Sequence, residues 1–131
     1  MNKPVRVAVI GAGGWGYQHA RAFSSRRDTV LISITGRTEE RTRRRVEEFG
    51  VPYYLNISEM LEKDKPDLVS ICMPGQGTFQ PTMEVIRAGV PLLVEKPLVY
   101  KLDETETMQS VHWIDLNHKS FQQLRAMLRH L

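Results

Sequence analysis

The chain has 131 residues, 41% of them apolar and 25% charged, a composition that speaks against disorder and against a coiled coil. Its one cysteine, Cys72, excludes a disulfide framework and a cysteine-rich zinc site. The net charge of +3, from 18 Lys and Arg against 15 Asp and Glu, is too small and too scattered to argue for nucleic acid.

No apolar run approaches the ~20 residues of a membrane helix. The N-terminus does not read as a signal peptide, because its short apolar stretch runs straight into glycines. The expectation is a soluble, cytoplasmic protein with neither nucleic acid nor membrane as partner.

Val5–Ile10 (VRVAVI) is rich in β-branched residues and predicts a strand. Residues 15 to 26 read as a helix, and Val30–Thr35 (VLISIT) as a second strand. Thr38 to Phe49 predicts a charged helix, capped near Thr38 and stopped by Gly50. Pro52–Leu55 reads as a very short strand, and Ser58 to Lys63 as a short helix capped by Ser58. Leu68–Met73 (LVSICM) is the next strand. Thr78 to Ala88 is a helix that tolerates Pro81 in its first turn and ends at Gly89. Pro91–Glu95 is a strand, Asp103 to Ser110 a short helix, His112–Leu116 a last strand and Ser120 to Leu131 a closing helix.

Strands that alternate with helices at this rhythm imply βαβ units. The strands are continuous apolar runs, as a sheet covered on both faces requires. The expected fold is therefore a single α/β domain, a doubly wound parallel sheet of Rossmann type in three layers. It would span residues 1–118, with 119–131 as an appended amphipathic helix.

Directly after the first strand stands Gly11-Ala12-Gly13-Gly14-Trp15-Gly16, which fits G-x-G-x-x-G. Position between a strand and a helix is the context that gives this pattern meaning. Gly11 allows a tight turn, Gly13 lets a pyrophosphate approach the backbone, and Gly16 lets the helix pack closely on the strand. The free amides and positive end of the helix then face the phosphates. Gly14 and Trp15, in the same turn, are counted with them as cofactor contacts. The alternative is a glycine-rich turn without a ligand.

A dinucleotide site also predicts an acidic residue about 20 positions onward, at the end of the second strand, for the ribose hydroxyl. Here the strand ends Thr35-Gly36-Arg37-Thr38, followed by Arg41. A small residue leaves room for a 2′-phosphate, and Arg37 offers a planar fork of donors. Arg41 lies one turn later. The pattern favours NADP over NAD. Arg43, Arg44 and Arg45 read instead as a solvated helix face paired at i,i+4 spacing with Glu39, Glu40, Glu47 and Glu48.

Glu95 and Lys96 follow the buried run Leu92-Leu93-Val94 and precede Pro97. Charged groups are costly to bury without partners, and ligands of open α/β sheets bind beyond the carboxyl ends of strands. A cis Lys96–Pro97 bond would set where Lys96 points.

With VAVIGAGGWGYQHA at 7–20, ITGRTEER at 34–41, ICMP at 71–74 and AGVPLLVEKPL at 88–98, the chain resembles the N-terminal domain of the Gfo/Idh/MocA family of NAD(P)-dependent oxidoreductases over about residues 5 to 108. The resemblance implies the following roles. Gly11, Gly13 and Gly16 hold the pyrophosphate. Gly36, Arg37 and Thr38 hold the adenosine ribose in a form like that of NADP-using members. Met73 and Pro74 border the nicotinamide half. Glu95 and Lys96 form the EKP pair, whose lysine contacts the nicotinamide ribose and substrate and assists proton transfer. His19 matches a histidine often found after the glycine turn, though a histidine on this helix is more commonly a packing residue. Family members move hydride between nicotinamide and a hydroxyl-bearing carbon of a sugar or cyclitol.

Where the family commonly reads Pro-Asn-x-x-His, this chain has Pro74-Gly75-Gln76-Gly77-Thr78, so the substrate contacts of that loop are not carried over. Ile114–Lys119 resembles the family's sixth strand, with about seven residues, close to two helical turns, missing before it. Val111–Leu116 can instead be aligned with the stretch around the catalytic histidine of the second domain. Either way no substrate domain is expected within the chain. It would bind a dinucleotide and be incomplete for catalysis alone, meeting a small-molecule substrate only with a second domain or chain. The alternative is a non-catalytic NADP-binding regulatory or interaction module. Phe121, Leu124, Met127, Leu128 and Leu131 form an apolar stripe, which suggests self-association through the C-terminal helix. His112 and His118 lack co-ligands, so no metal is expected.

Overall fold

A computed structural model describes residues 3–74 and 77–95. The elements expected at 103–110, 112–116 and 120–131, the loop residues Gly75 and Gln76, and Lys96 with Pro97 lie outside those residues.

The described elements run β1 (Val5–Ile10), α1 (Gly14–Ser24), β2 (Thr29–Thr35), α2 (Glu39–Glu47), β3 (Tyr53–Tyr54), α3 (Ile57–Asp64), β4 (Leu68–Ile71), α4 (Phe79–Arg87) and β5 (Leu92–Val94). The five strands form one sheet in the order β3-β2-β1-β4-β5, and every neighbouring pair is parallel. The order reverses direction between β1 and β4, which opens a crevice at the carboxyl edge of the sheet.

The sheet is covered on both faces, which explains its largely apolar strands. Val7 and Val9 of β1 pack with Ala20, Phe23, Val46 and Leu68, and the alternate residues Ala8 and Ile10 pack with Met60, Val69, Ile71 and Val85. Each aliphatic side chain removed from water in this way contributes about 1.5–3 kcal/mol. The register of β1 against β2 shifts between Val7 and Ala8, where Ile32 is the extra residue. The shift puts both Leu31 and Ile34 on one face, packed in the same cluster, while Ile32 packs on the other. It also sets Thr35 opposite Ile10.

That registration matters for function. Tyr54 pairs with Thr35, Thr35 with Ile10, Ile10 with Ile71, and Ile71 with Val94. The strands end level, so the loops that follow them leave from one edge.

The helices start and stop for local reasons. Gly50, at φ 64°, closes α2, and its amide donates to the Val46 carbonyl at 2.9 Å. Thr38 occupies the N-cap position of α2 as expected, but its side chain makes no capping bond. Pro81 falls in the first turn of α4, where no intrahelical N–H is needed. The expected Ser58 cap of α3 is corrected: Asn56 Oδ1 accepts from the Glu59 amide at 2.9 Å, and Ser58 Oγ donates to Glu84 Oε2 at 3.3 Å. Asparagine has the reach and the extended backbone that the N-cap requires. Among the described residues no helix is long and apolar enough to cross a membrane.

Candidate functional site

A cavity of about 650 Å³ opens at the carboxyl edge. Of the residues expected at a cofactor site, it brings together Gly11, Gly13, Gly36, Arg37, Thr38, Arg41, Met73 and Pro74. Gly14, Trp15, Gly16 and Glu95 do not line it.

The glycines of the turn separate by what surrounds them. Gly11 has φ 124°, and a Cβ there would overlap the Cys72 carbonyl, so backbone geometry and packing both demand glycine. A Cβ on Gly16 would overlap the Gly11 carbonyl oxygen, because α1 lies directly against the turn. Gly13 differs. Its φ of −81° and ψ of −167° are extended backbone open to any residue, and a Cβ there would meet nothing within 4 Å. Gly14 is equally open. The protein itself has no use for a bare backbone at Gly13, yet this is the point where α1 begins. The first turn of α1 carries no acidic residue, and no side chain caps it. Its amides and the positive end of its dipole therefore face open space beside the cavity. An anionic group fits there.

One arginine of α2 acts on this turn. Arg45 was expected on a solvated face, and the structure corrects this. Its guanidinium lies 4.8 Å from the centroid of the Tyr17 ring, and Nε donates to the Ala12 carbonyl at 3.2 Å. The aromatic face attracts the cation, and the hydrogen bond ties the glycine turn to α2. Arg44 does pair with Glu40, at 2.6 Å. Tyr17 donates to Glu48, and Tyr53 to Glu39, both at 3.0 Å.

At the end of β2, a Cβ on Gly36 would overlap Thr42 Oγ1 and stand 3.1 Å from both Thr42 Cβ and Ala12 Cβ. Thr42 is fully buried, with Oγ1 donating to the Thr38 carbonyl at 2.7 Å. The strand end is thus sealed against any side chain. Arg37 follows immediately and extends across the cavity: Nη1 would be 3.9 Å from a Cβ on Gly77, in the segment before α4. Thr35 Oγ1 lies buried at the cavity floor with no hydrogen-bond partner among the described residues.

The far wall was not foreseen from sequence. It consists of Leu55 and Ile57 before and within α3, and Gln80, Pro81 and Glu84 on α4. Gln80 had a legible signal, since it sits in the first turn of the helix that follows a strand's carboxyl end.

Cys72 forms the cavity wall beyond β4, and its amide donates to the Ile10 carbonyl at 2.8 Å. Burial pushes its thiol up to about 11; a hydrogen bond with Ser70 works against this, and the nearby Glu95 charge adds to it. Such a thiol is inert rather than nucleophilic.

Glu95 lies just past β5, where its amide donates to the Ile71 carbonyl at 3.0 Å. Its carboxylate turns toward α1, with Oε1 2.7 Å from His19 Nε2. The other ring nitrogen of His19 lies 2.8 Å from Ser70 Oγ. His19 is thus more than a packing residue: its edge-on contact with Phe23 leaves both nitrogens engaged.

The profile of an oxidoreductase family with an NAD-binding Rossmann fold, Gfo/Idh/MocA, matches residues 5–113. The chain belongs to the Gfo/Idh/MocA family. D-glucoside 3-dehydrogenase of Escherichia coli (strain K12) is 31% identical over 98 residues, 73% of this chain and 28% of that protein. Inositol 2-dehydrogenase of Corynebacterium glutamicum is 33% identical over 100 residues, 75% of this chain and 30% of its own length. Biliverdin reductase of Synechocystis sp. PCC 6803, solved with biliverdin and NADP+, superposes with a TM-score of 0.80 at 25% identity, over 86% of this chain and 36% of that one. The chain therefore spans less than a third of the length of these two curated Gfo/Idh/MocA relatives, the part that corresponds to the NAD(P)-binding Rossmann domain.

Proposed function

We propose that this domain takes NADP in preference to NAD and serves a dehydrogenase acting on a hydroxyl-bearing carbon of a sugar or cyclitol. The observation that carries the cofactor reading is the sealed strand end at Gly36. A carboxylate for an unmodified ribose 2′-OH would need a Cβ for which Thr42 and Ala12 leave no room. In its place stand Arg37 and Arg41, both lining the cavity. A guanidinium offers parallel donors and a full positive charge to a phosphate, and nothing comparable to a ribose hydroxyl.

The residues present fit a dinucleotide. The open amides at Gly13 and Gly14 suit the pyrophosphate. Arg37, Thr38 and Arg41, which line the cavity beside the sealed strand end, suit the 2′-phosphate. Met73 and Pro74 lie on the β4 side, where the other half of the molecule must extend. Trp15, 69% exposed at the outer end of the turn, stands free to meet the ligand or its surroundings. When bound, a nicotinamide supplies the hydride acceptor or donor. Glu95 and Lys96 complete the EKP motif, and Lys96 is assigned proton transfer at the reacting hydroxyl. The substrate class follows the names of the relatives, which oxidise glucosides and inositols.

Calorimetric titration with NADPH and with NADH tests this reading. The parent chain is expected to bind NADPH more tightly. Arg37→Asp removes a charge-assisted bond of about 1.5–3 kcal/mol and adds a repelling charge, so NADPH affinity falls roughly tenfold to a hundredfold while NADH affinity changes little. Equal losses for the two cofactors would overturn the NADP assignment.

A further inference from the structure

His19 joins three elements through one imidazole. It projects from α1, reaches Ser70 of β4 through Nδ1 at 2.8 Å, and reaches Glu95 beyond β5 through Nε2 at 2.7 Å. A carboxylate only accepts, so Nε2 carries the hydrogen, and in the neutral ring Nδ1 accepts from the Ser70 hydroxyl; this tautomer is assigned from the network. Ser70 is fully buried, and its Oγ lies 3.7 Å from Cys72 Sγ, so the anchor at the inner end is fixed. The outer end is only partly covered, with the side chains of His19 and Glu95 24% and 32% exposed. A hydrogen bond to a carboxylate in such a setting is of the stronger, charge-assisted kind.

The placement of this bridge gives it meaning. α1 begins at the glycine turn. β5 lies on the opposite side of the switch point from Gly36 and Arg37. An adenosine half bound beside Gly36 obliges the rest of a dinucleotide to run toward β4 and β5. Glu95 stands at that end, its backbone pinned to Ile71 and its carboxylate pinned to His19. Without His19 the backbone anchor remains and the carboxylate is free to turn.

We propose that His19 is a positioning residue, which holds the Glu95 carboxylate against the glycine-turn helix and thereby shapes the nicotinamide end of the site. This rests on the dinucleotide reading above. It predicts a split that a merely structural role does not produce, because the adenosine half of the site makes no use of the bridge. The probes are NADPH and 2′,5′-ADP, which carries only the adenosine half.

The parent chain is expected to bind both. His19→Ala weakens NADPH about tenfold, the equivalent of one lost hydrogen bond to a charged group, and leaves 2′,5′-ADP within about twofold. Glu95→Ala gives the same split, and the double variant is no worse than Glu95→Ala alone, since His19 acts through Glu95. His19→Gln, which retains a donor, restores most of the NADPH affinity and guards against misfolding as the cause. Equal weakening of both ligands by His19→Ala, no weakening of either, or additive losses in the double variant would each overturn the inference alone. A parent chain that binds neither ligand would overturn the dinucleotide reading, and this inference with it.

Discussion

Gly13→Ala is the substitution that separates what the fold needs from what a ligand needs. The backbone at Gly13 is extended, so alanine adopts it without strain, and its methyl would meet nothing within 4 Å. Two small effects on stability oppose each other. Alanine restricts the unfolded chain, which favours folding by about 0.4–1 kcal/mol. Alanine is also a poorer N-cap than glycine, by several tenths of a kcal/mol. The net change stays within about 1 kcal/mol, a few degrees in Tm for a domain of this size.

Binding responds differently. The methyl occupies the space into which a pyrophosphate must come to reach the amides at the start of α1. Losing two charge-assisted hydrogen bonds, at about 1.5–3 kcal/mol each, lowers NADPH affinity by a hundredfold or more. Gly16→Ala is the contrasting control. Its methyl overlaps the Gly11 carbonyl, a backbone group that cannot swing away. Forcing α1 off the turn costs about 1–3 kcal/mol and takes the binding geometry with it. Urea or thermal unfolding without ligand, followed by calorimetric titration with NADPH, distinguishes the two. A Gly13→Ala chain that binds NADPH as tightly as the parent would refute the reasoning, as would one that unfolds as readily as Gly16→Ala.

Cys72 gives a prediction in pH. Its thiol is raised in the folded chain from an ordinary value of 9.0 to about 11, so the unfolded chain loses its proton first as pH rises. The stability it contributes is complete below pH 9 and is lost as pH climbs toward 11. Urea midpoints across that range should fall less steeply in Cys72→Ala than in the parent, and iodoacetamide should label native Cys72 at pH 8 far more slowly than the urea-unfolded chain; labelling at equal rates would contradict the burial argument. For the cap of α3, Asn56→Ala should cost about 1 kcal/mol and Ser58→Ala less than about 0.5, read from urea midpoints. The reverse order would return the cap to Ser58.

Most strands and helices of the described region were legible in the sequence because their signals are local. Val7–Ile10 is apolar without interruption and wholly buried, as a strand covered on both faces requires. Gly50 and Gly89 mark helix ends because each sits at positive φ, 64° and 72°. The errors came where a local signal did not decide the contact. Ser58 read as the cap of α3, and only the three-dimensional start of that helix showed Asn56 in the position. Arg45 looked like its neighbours Arg43 and Arg44, because nothing in sequence says that the next turn of α2 passes over Tyr17.

By itself the sequence determined the alternating fold, the glycine turn, the arginine that replaces the expected acid, and the family to which these belong. Each is a statement about residues near one another in the chain. The tertiary structure decided the rest. It showed that Gly11 and Gly16 serve packing while Gly13 keeps space open. It showed that Gly36 is closed off by Thr42 and Ala12, and that His19, Ser70 and Glu95 meet across separations of 51 and 76 residues. Sequence spacing encodes backbone periodicity, but the lining of the cavity at the carboxyl edge comes from the ends of four different strands. Only the parallel registration of those strands brings them to one place.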